Sequence, residues 1–149
     1  IFENEMEKIL NFPNSSISIE MLRKILPKNE NYEIEKLFFL VVRAQNEIII
    51  KTTNTIKSVS DSIIMLQRIK YFVNLLSSFE RSEDVEKNFP KYLFKEKATF
   101  LSIFKKKNPL RLEQVFSLIK KTEILLRKNG ELFLPISQRF LINLSKNLK

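Results

Sequence analysis

The side chains that could do chemistry in this chain are carboxylates, lysines and arginines, because its 149 residues include neither cysteine nor histidine. This composition excludes a thiolate nucleophile, a disulfide framework and the usual zinc ligands, and it removes the commonest general base. A single glycine in the whole chain also argues against a glycine-rich loop that cradles phosphates. The residue types therefore predict a protein with no enzymatic activity, no cofactor and no metal, whose function is binding.

Carboxylates form the first candidate site. Glu83, Asp84 and Glu86 lie close together in a polar stretch, which is more typical of a hydrated connector than of a metal or acid–base site. Glu123 lies in an apolar helical stretch, where it could form an ion pair at an interface. Its spacing to Arg127 also permits an i,i+4 pair along one helix, and we favour this second interpretation.

Positive charge forms the second candidate site. The net charge is +9, and residues 1–45 contribute six basic and seven acidic side chains, so the excess lies after residue 45. The densest run, KKKNPLR, places Lys105, Lys106, Lys107 and Arg111 at the junction of two predicted helices, and Lys120 and Lys121 extend the same positive edge. Contact with phosphates there would make nucleic-acid binding steeply salt-dependent. The helix macrodipole also favours lysines at a helix C-terminus, and this structural explanation is the preferred one.

Helical periodicity dominates the elements that must position these residues, and it predicts an all-α fold. Residues 1–45 are predicted to form a small unit of three helices. The first contains Met6, Ile9 and Leu10, the second is capped by Ser18 and closed by Pro27, and the third spans residues 32–44.

A second unit of about five helices is predicted to follow over residues 46–149. Its first helix is predicted for the segment EIIIKTTNTIKSV, residues 47–59, in preference to a strand, and its second covers residues 62–79, capped by Ser60 or Asp61. Residues 80–88 are expected to form a short helical turn at most. Helices then follow at residues 95–106, 111–128 and 135–147, and Asn129-Gly130 is predicted to end one of them in the left-handed conformation.

The last two predicted helices carry more apolar area than a single packing seam needs. One interpretation is an internal core, and the other is a surface that partner subunits cover. The candidate residues for such a subunit interface are Phe116, Ile119, Glu123, Leu126, Phe140, Leu144 and Leu148.

Over essentially its whole length the chain resembles the delta subunit of bacterial DNA polymerase III, a component of the clamp loader. Five segments carry the resemblance in order: ENEMEKILNFPNSSISIEMLRKIL, LFFLVVRAQ, SVSDSIIMLQRIKYFVNLL, FPKYLFKEKATF and TEILLRKNG. The fourth is similar to the family pattern P-P-x-x-F-K-R-K, with Phe89 for the first proline and Glu96 for an arginine. The fifth is similar to x-E-x-x-x-K, with Arg127 at the basic position.

The resemblance implies that residues 1–45 are the end of an AAA-like helical lid domain and residues 46–149 a collar domain. It implies a cytoplasmic, non-catalytic subunit that assembles with the clamp-loader ATPase (gamma/tau) and delta-prime subunits, with no membrane partner. The sliding clamp would be contacted only through an N-terminal domain that is not in this chain. Primer–template DNA would be contacted near residues 128–133, with Lys128 and Phe133 as candidates. The alternative is an independent helical nucleic-acid-binding domain that uses the basic edge.

Overall fold

The computed structural model of the chain describes residues 30–43 and 45–149, and the regular structure of these residues is entirely helical. The all-α prediction is therefore confirmed for the described part of the chain. The two predicted helices that contain Met6 and follow Ser18 lie outside the described residues. We number the described α-helices α1 to α7: Glu30–Arg43, Asn46–Thr52, Val59–Ser78, Ser82–Asn88, Lys97–Lys105, Pro109–Lys128 and Phe133–Leu148.

Three short 3-10 helices complete the described structure. Thr53–Thr55 follows α2, Lys91–Glu96 precedes α5, and Gly130–Leu132 joins α6 to α7. The described residues lie almost entirely in one compact unit, Tyr32–Lys149. That unit includes most of α1, the helix that the sequence prediction grouped with the preceding domain.

Helices α3, α6 and α7 form the centre of the unit, where α6 packs against both of the other two. The sequence of α6 accounts for its central position, because its buried residues recur every three or four positions along one face. These residues are Leu112, Val115, Ile119, Thr122 and Leu126. Full burial of one such leucine side chain contributes roughly 1.5–3 kcal/mol to stability.

A chain of buried phenylalanine rings joins α1 to α3 and α5. Phe38 stacks on Phe72 of α3 with ring centroids 5.1 Å apart, and Phe39 meets the edge of the same ring at 5.0 Å. Phe39 also contacts Phe89, which in turn lies 5.1 Å from Phe100 of α5. Aromatic pairs in such tilted and edge-on geometries add about 0.5–1.5 kcal/mol each beyond the area that they bury. The ring chain therefore holds α1 against the later helices.

Helices α3 and α7 meet at small polar residues. Ser62 and Ser137 are both fully buried, and the Ser137 hydroxyl lies 2.9 Å from that of Ser62, to which it donates a hydrogen bond. Beside them the Gln138 amide donates to the hydroxyl of buried Thr53 at 3.1 Å. Short side chains let the two helices approach closely, and the hydrogen bond satisfies groups that burial would otherwise leave without a partner.

Side-chain caps place two helix starts earlier than predicted. Ser58, rather than Ser60 or Asp61, caps α3: its hydroxyl accepts a hydrogen bond from the Asp61 N–H at 3.1 Å, while the Asp61 carboxylate accepts from the Lys57 N–H at 2.9 Å. Asn108 caps α6 by accepting from the Leu110 N–H at 2.9 Å, with Pro109 in the first helical position.

Two further predictions are wrong. The stretch expected to form a short turn at most contains the two-turn helix α4, because the Asp84 carboxylate accepts from the Arg81 N–H at 2.9 Å and Val85 is fully buried. Gly130 does not adopt the left-handed conformation, and it begins a 3-10 helix instead. A methyl group added at Gly130 would meet the Val59 side chain at 3.6 Å, an ordinary contact.

Candidate interface between α6 and α7

A groove runs along the outer seam of α6 and α7. Its wider part is a cavity of about 530 Å³, and a second cavity of about 360 Å³ continues it and shares Leu118, Lys121 and Asn143. Phe140 and Thr122, both buried, lie at its floor. The Thr122 hydroxyl has a hydrogen-bond partner within its own helix, because it donates to the Leu118 carbonyl at 2.8 Å.

Apolar side chains form the walls at one end of the groove. Leu125 is 48% exposed and Leu132 is 50% exposed, and both line the wider cavity together with Pro135 and Ile136. Half-exposed leucines around a concave apolar floor leave area that a partner could bury. The 3-10 turn Gly130–Leu132 contributes Leu132 to this end, so the connection between the helices is part of the surface.

The charged residues of the groove lining are all basic. Lys121 of α6 and Arg139 of α7 line the wider cavity, and Lys146 lines the narrower one. Neither cavity has an acidic residue in its lining. The groove therefore combines an apolar floor with a cationic rim.

The structure divides the predicted interface residues between core and surface. Ile119, Leu126, Phe140 and Leu144 are all less than 5% exposed and pack within the chain's own core. These four therefore have almost no accessible area left for a partner to bury, and the accessible apolar area lies on their exposed neighbours. Phe116 and Leu148 are partly buried against the same core. The sequence prediction missed Leu125 and Leu132, which carry the accessible apolar area.

Glu123 makes the pair that its spacing permits. Its carboxylate lies 2.8 Å from an Arg127 guanidinium nitrogen one helical turn away, and both side chains are more than one third exposed. Exposed i,i+4 pairs contribute about 0.3–0.5 kcal/mol. The structure therefore gives Glu123 a local role on the surface of α6.

Lys107, a predicted DNA contact, has a structural position instead. Its ammonium group donates hydrogen bonds to the carbonyl of Leu76, at 3.2 Å, and to that of Phe79, and it lies over the Phe104 ring at 4.3 Å from the centroid. These carbonyls end α3, where cations are favoured by the helix macrodipole. The sequence analysis preferred to interpret these lysines as structural residues at a helix end, and this holds for Lys107. The helix whose end it contacts is α3, however, and not the preceding helix α5.

The other predicted DNA contacts fall into two separate groups. Lys105, Lys106 and Arg111 are exposed near the beginning of α6, whereas Lys128 is exposed at its end and Phe133 is partly buried at the start of α7. The rise of an α-helix separates Arg111 from Lys128 by about 26 Å along the axis. The two groups are therefore not one continuous patch.

Lys91, Tyr92, Phe94 and Lys95 form an aromatic–lysine strip. The sequence analysis included these residues only in a segment that resembles a family pattern and did not predict them as a site. Tyr92 is 58% exposed and Phe94 is 68% exposed, and the Lys95 ammonium lies 6.0 Å from the Phe94 ring centroid. Leu93 between them is 1% exposed and anchors the 3-10 segment to the core. The sequence signal that could have identified the strip is the run Tyr92-Leu93-Phe94, in which a buried apolar residue lies between two exposed ones.

Two carboxylates of the polar stretch, Asp84 and Glu86, have protein partners. Asp84 caps α4, and Glu86 pairs with the Lys97 ammonium across to α5. On another side, Arg43 lies 2.7 Å from Glu96 Oε2, within ion-pair distance, although no hydrogen bond of good geometry reaches that buried oxygen. Within the described residues no three acidic side chains form a group that could hold a metal ion.

Comparison with protein-family models, curated proteins and solved structures finds no match for this chain. Among the described helices, none has the length and apolar character that crossing a membrane requires.

Proposed function

We propose that this chain is a non-catalytic assembly subunit that binds partner helices along the α6–α7 groove. The observation that carries the proposal is the pair of half-exposed leucines, Leu125 and Leu132, around an apolar floor between two long helices. In its most specific form the proposal follows the sequence resemblance. The unit would be the collar of a bacterial clamp-loader delta subunit, and its partners would be the ATPase (gamma/tau) and delta-prime subunits.

The size of the effect follows from the exposed area. Since about half of each leucine is accessible, complete burial of both would add roughly 2 kcal/mol at the usual value for a leucine side chain. This corresponds to about a 30-fold change in affinity. It is enough for a point substitution to disrupt a marginal complex.

The test is co-purification of tagged chain with the ATPase and delta-prime subunits. Leu125→Glu together with Leu132→Glu is expected to abolish recovery, because both substitutions place a charge against the apolar wall. Ile124→Glu is the matched control: Ile124 is 45% exposed on the same helix but does not line the groove. Recovery of both variants at the level of the unmodified chain would refute assembly through this groove.

A second candidate function, nucleic-acid binding, is favoured by the aromatic–lysine strip. Exposed aromatic rings between lysines can stack bases while the ammonium groups contact phosphates. Each stacked base contributes roughly 1–3 kcal/mol by alanine substitution, so Phe94→Ala should weaken binding at least about 5-fold. A labelled single-stranded 20-nucleotide dT probe, titrated at several salt concentrations, tests this.

Two controls make the nucleic-acid measurement decisive. Phe94→Tyr keeps the ring and should retain binding, whereas Phe94→Leu keeps the apolar bulk and should lose it. If Phe94→Leu binds as the unmodified chain does, stacking is not involved. Binding that ignores salt would equally contradict phosphate contact by Lys91 and Lys95.

A further inference from the structure

The α6–α7 groove has a charge pattern that specifies its occupant, and this inference rests on the proposed assembly function. Lys121, Arg139 and Lys146 lie along its rim, and no carboxylate lines either of its two cavities. The acidic residues of α6 lie elsewhere: Glu123 pairs with Arg127, and Glu113 lines a different cavity beside Lys107. We propose that the groove binds an acidic amphipathic helix of a partner protein.

The dimensions of the groove fit a helix of about four turns. Its lining extends along α6 from Gln114 to Asn129, which is about 22 Å at the helical rise. A docked helix presents apolar anchors at positions i, i+3, i+4 and i+7, and a groove between two helices receives them in this register. The occupant therefore spans about 15 residues, and the residues of one face of its helix make the contacts.

The apolar walls are concentrated toward one end of the groove, whereas its basic residues extend along both cavities. The apolar walls, Leu125, Leu132 and Pro135, lie toward the α6–α7 turn. Lys146 lies toward the other end, beside Gln114 and Asn147. The partner helix accordingly places its large apolar anchors at the turn end, and its acidic side chains lie along the flanks and toward Lys146.

The same features argue against nucleic acid in this groove. Its accessible hydrophobic walls are leucine and proline, which offer no aromatic face on which a base could stack. The exposed rings of the described residues lie instead on the aromatic–lysine strip and at Tyr71. A carboxylate-bearing helix matches both the apolar floor and the cationic rim.

The experiment uses the full 149-residue chain and three designed 18-residue peptides labelled with fluorescein. All carry leucine at i, i+3, i+4 and i+7. The first has glutamate on its flanks, the second has lysine at those positions, and the third is the glutamate peptide with a central proline that breaks the helix. Fluorescence anisotropy should show binding of the first peptide only, and binding should weaken as salt rises.

Charge reversal identifies the rim. An exposed ion pair changes affinity by about 2- to 5-fold, so Lys121→Glu combined with Arg139→Glu should weaken binding of the glutamate peptide by about 4- to 25-fold. The same double variant should gain binding of the lysine peptide. Lys120→Glu with Lys128→Glu is the matched control, since these exposed lysines carry the same charge on α6 and do not line the groove.

The outcomes separate this inference from the proposed function. Equal binding of the glutamate and lysine peptides, or no effect of the Lys121/Arg139 reversal, would overturn the acidic-helix proposal even if the chain assembles with partner subunits. The proposal would be overturned in favour of nucleic acid if a dT 20-mer displaces the glutamate peptide and the Lys121/Arg139 reversal variant binds neither the peptide nor the dT 20-mer. Selective peptide binding by a chain that ignores the clamp-loader subunits would support the groove and refute that particular assembly.

Discussion

Substitution of Lys107 by alanine is expected to destabilise the fold, whereas the same change at Lys105 is not. Lys107 reaches two carbonyls at the end of α3 and lies 4.3 Å from the centroid of the Phe104 ring. Hydrogen bonds to charged groups contribute roughly 1.5–3 kcal/mol when buried, and a cation–π contact adds about 0.5–1 kcal/mol at an exposed site. Because Lys107 is only half-buried, we expect a total loss of about 1–2 kcal/mol.

The assay is urea unfolding followed by circular dichroism at 222 nm, with thermal unfolding in parallel. A loss of 1–2 kcal/mol lowers the melting temperature of a domain of this size by about 3–8 °C. Lys107→Met keeps the apolar stem over Phe104 and should recover part of the loss, which separates packing from capping. Equal stability of the Lys107→Ala and Lys105→Ala variants would refute the argument that Lys107 caps α3.

The remaining predictions concern the interior and the turns. Ser62→Ala should cost about 1–2 kcal/mol, because it leaves the buried Ser137 hydroxyl without its partner, and the double variant with Ser137→Ala should recover part of that cost. A thermodynamic cycle from urea unfolding measures this coupling. Phe39→Ala should cost about 3–5 kcal/mol through a cavity beside Phe72, seen as a lower denaturation midpoint. Gly130→Ala should raise stability by about 0.4–1 kcal/mol, because its backbone is compatible with alanine and the added methyl group makes only ordinary contacts; a lower melting temperature would contradict this.

Long amphipathic helices are the part of this fold that could be predicted from the sequence. Helices α3, α6 and α7 lie within a few residues of their predicted positions, because many apolar residues repeat at helical spacing in each. Their ends were less predictable. At α3, serines at positions 58, 60 and 62 all have capping side chains. Two hydrogen bonds decide among them: the Ser58 hydroxyl accepts from the Asp61 N–H, and the Asp61 carboxylate accepts from the Lys57 N–H.

Tertiary contacts decide the elements that the sequence prediction missed. Helix α4 has a single buried residue, Val85, so its polar composition is typical of a loop, although one cap and one anchor are enough within a packed unit. Gly130 is a natural left-handed cap by composition, yet the chain turns into α7 through a 3-10 helix. Lys107 depends on contacts 28 and 31 residues away, which local patterns do not contain.

Adjacent residues of α6 can differ completely in exposure, one lying in the core and the next in the groove. Leu125 and Leu126 are chemically identical neighbours about 100° apart around the axis, yet Leu126 is 1% exposed and Leu125 is 48% exposed. Leu126 packs in the core, whereas Leu125 lines the groove between α6 and α7. The apolar excess of α6 is therefore an accessible surface next to a complete core. Since a change at Leu126 would create a cavity and a change at Leu125 would not, binding through this helix pair is tested at Leu125, where loss of a partner cannot be mistaken for loss of the fold.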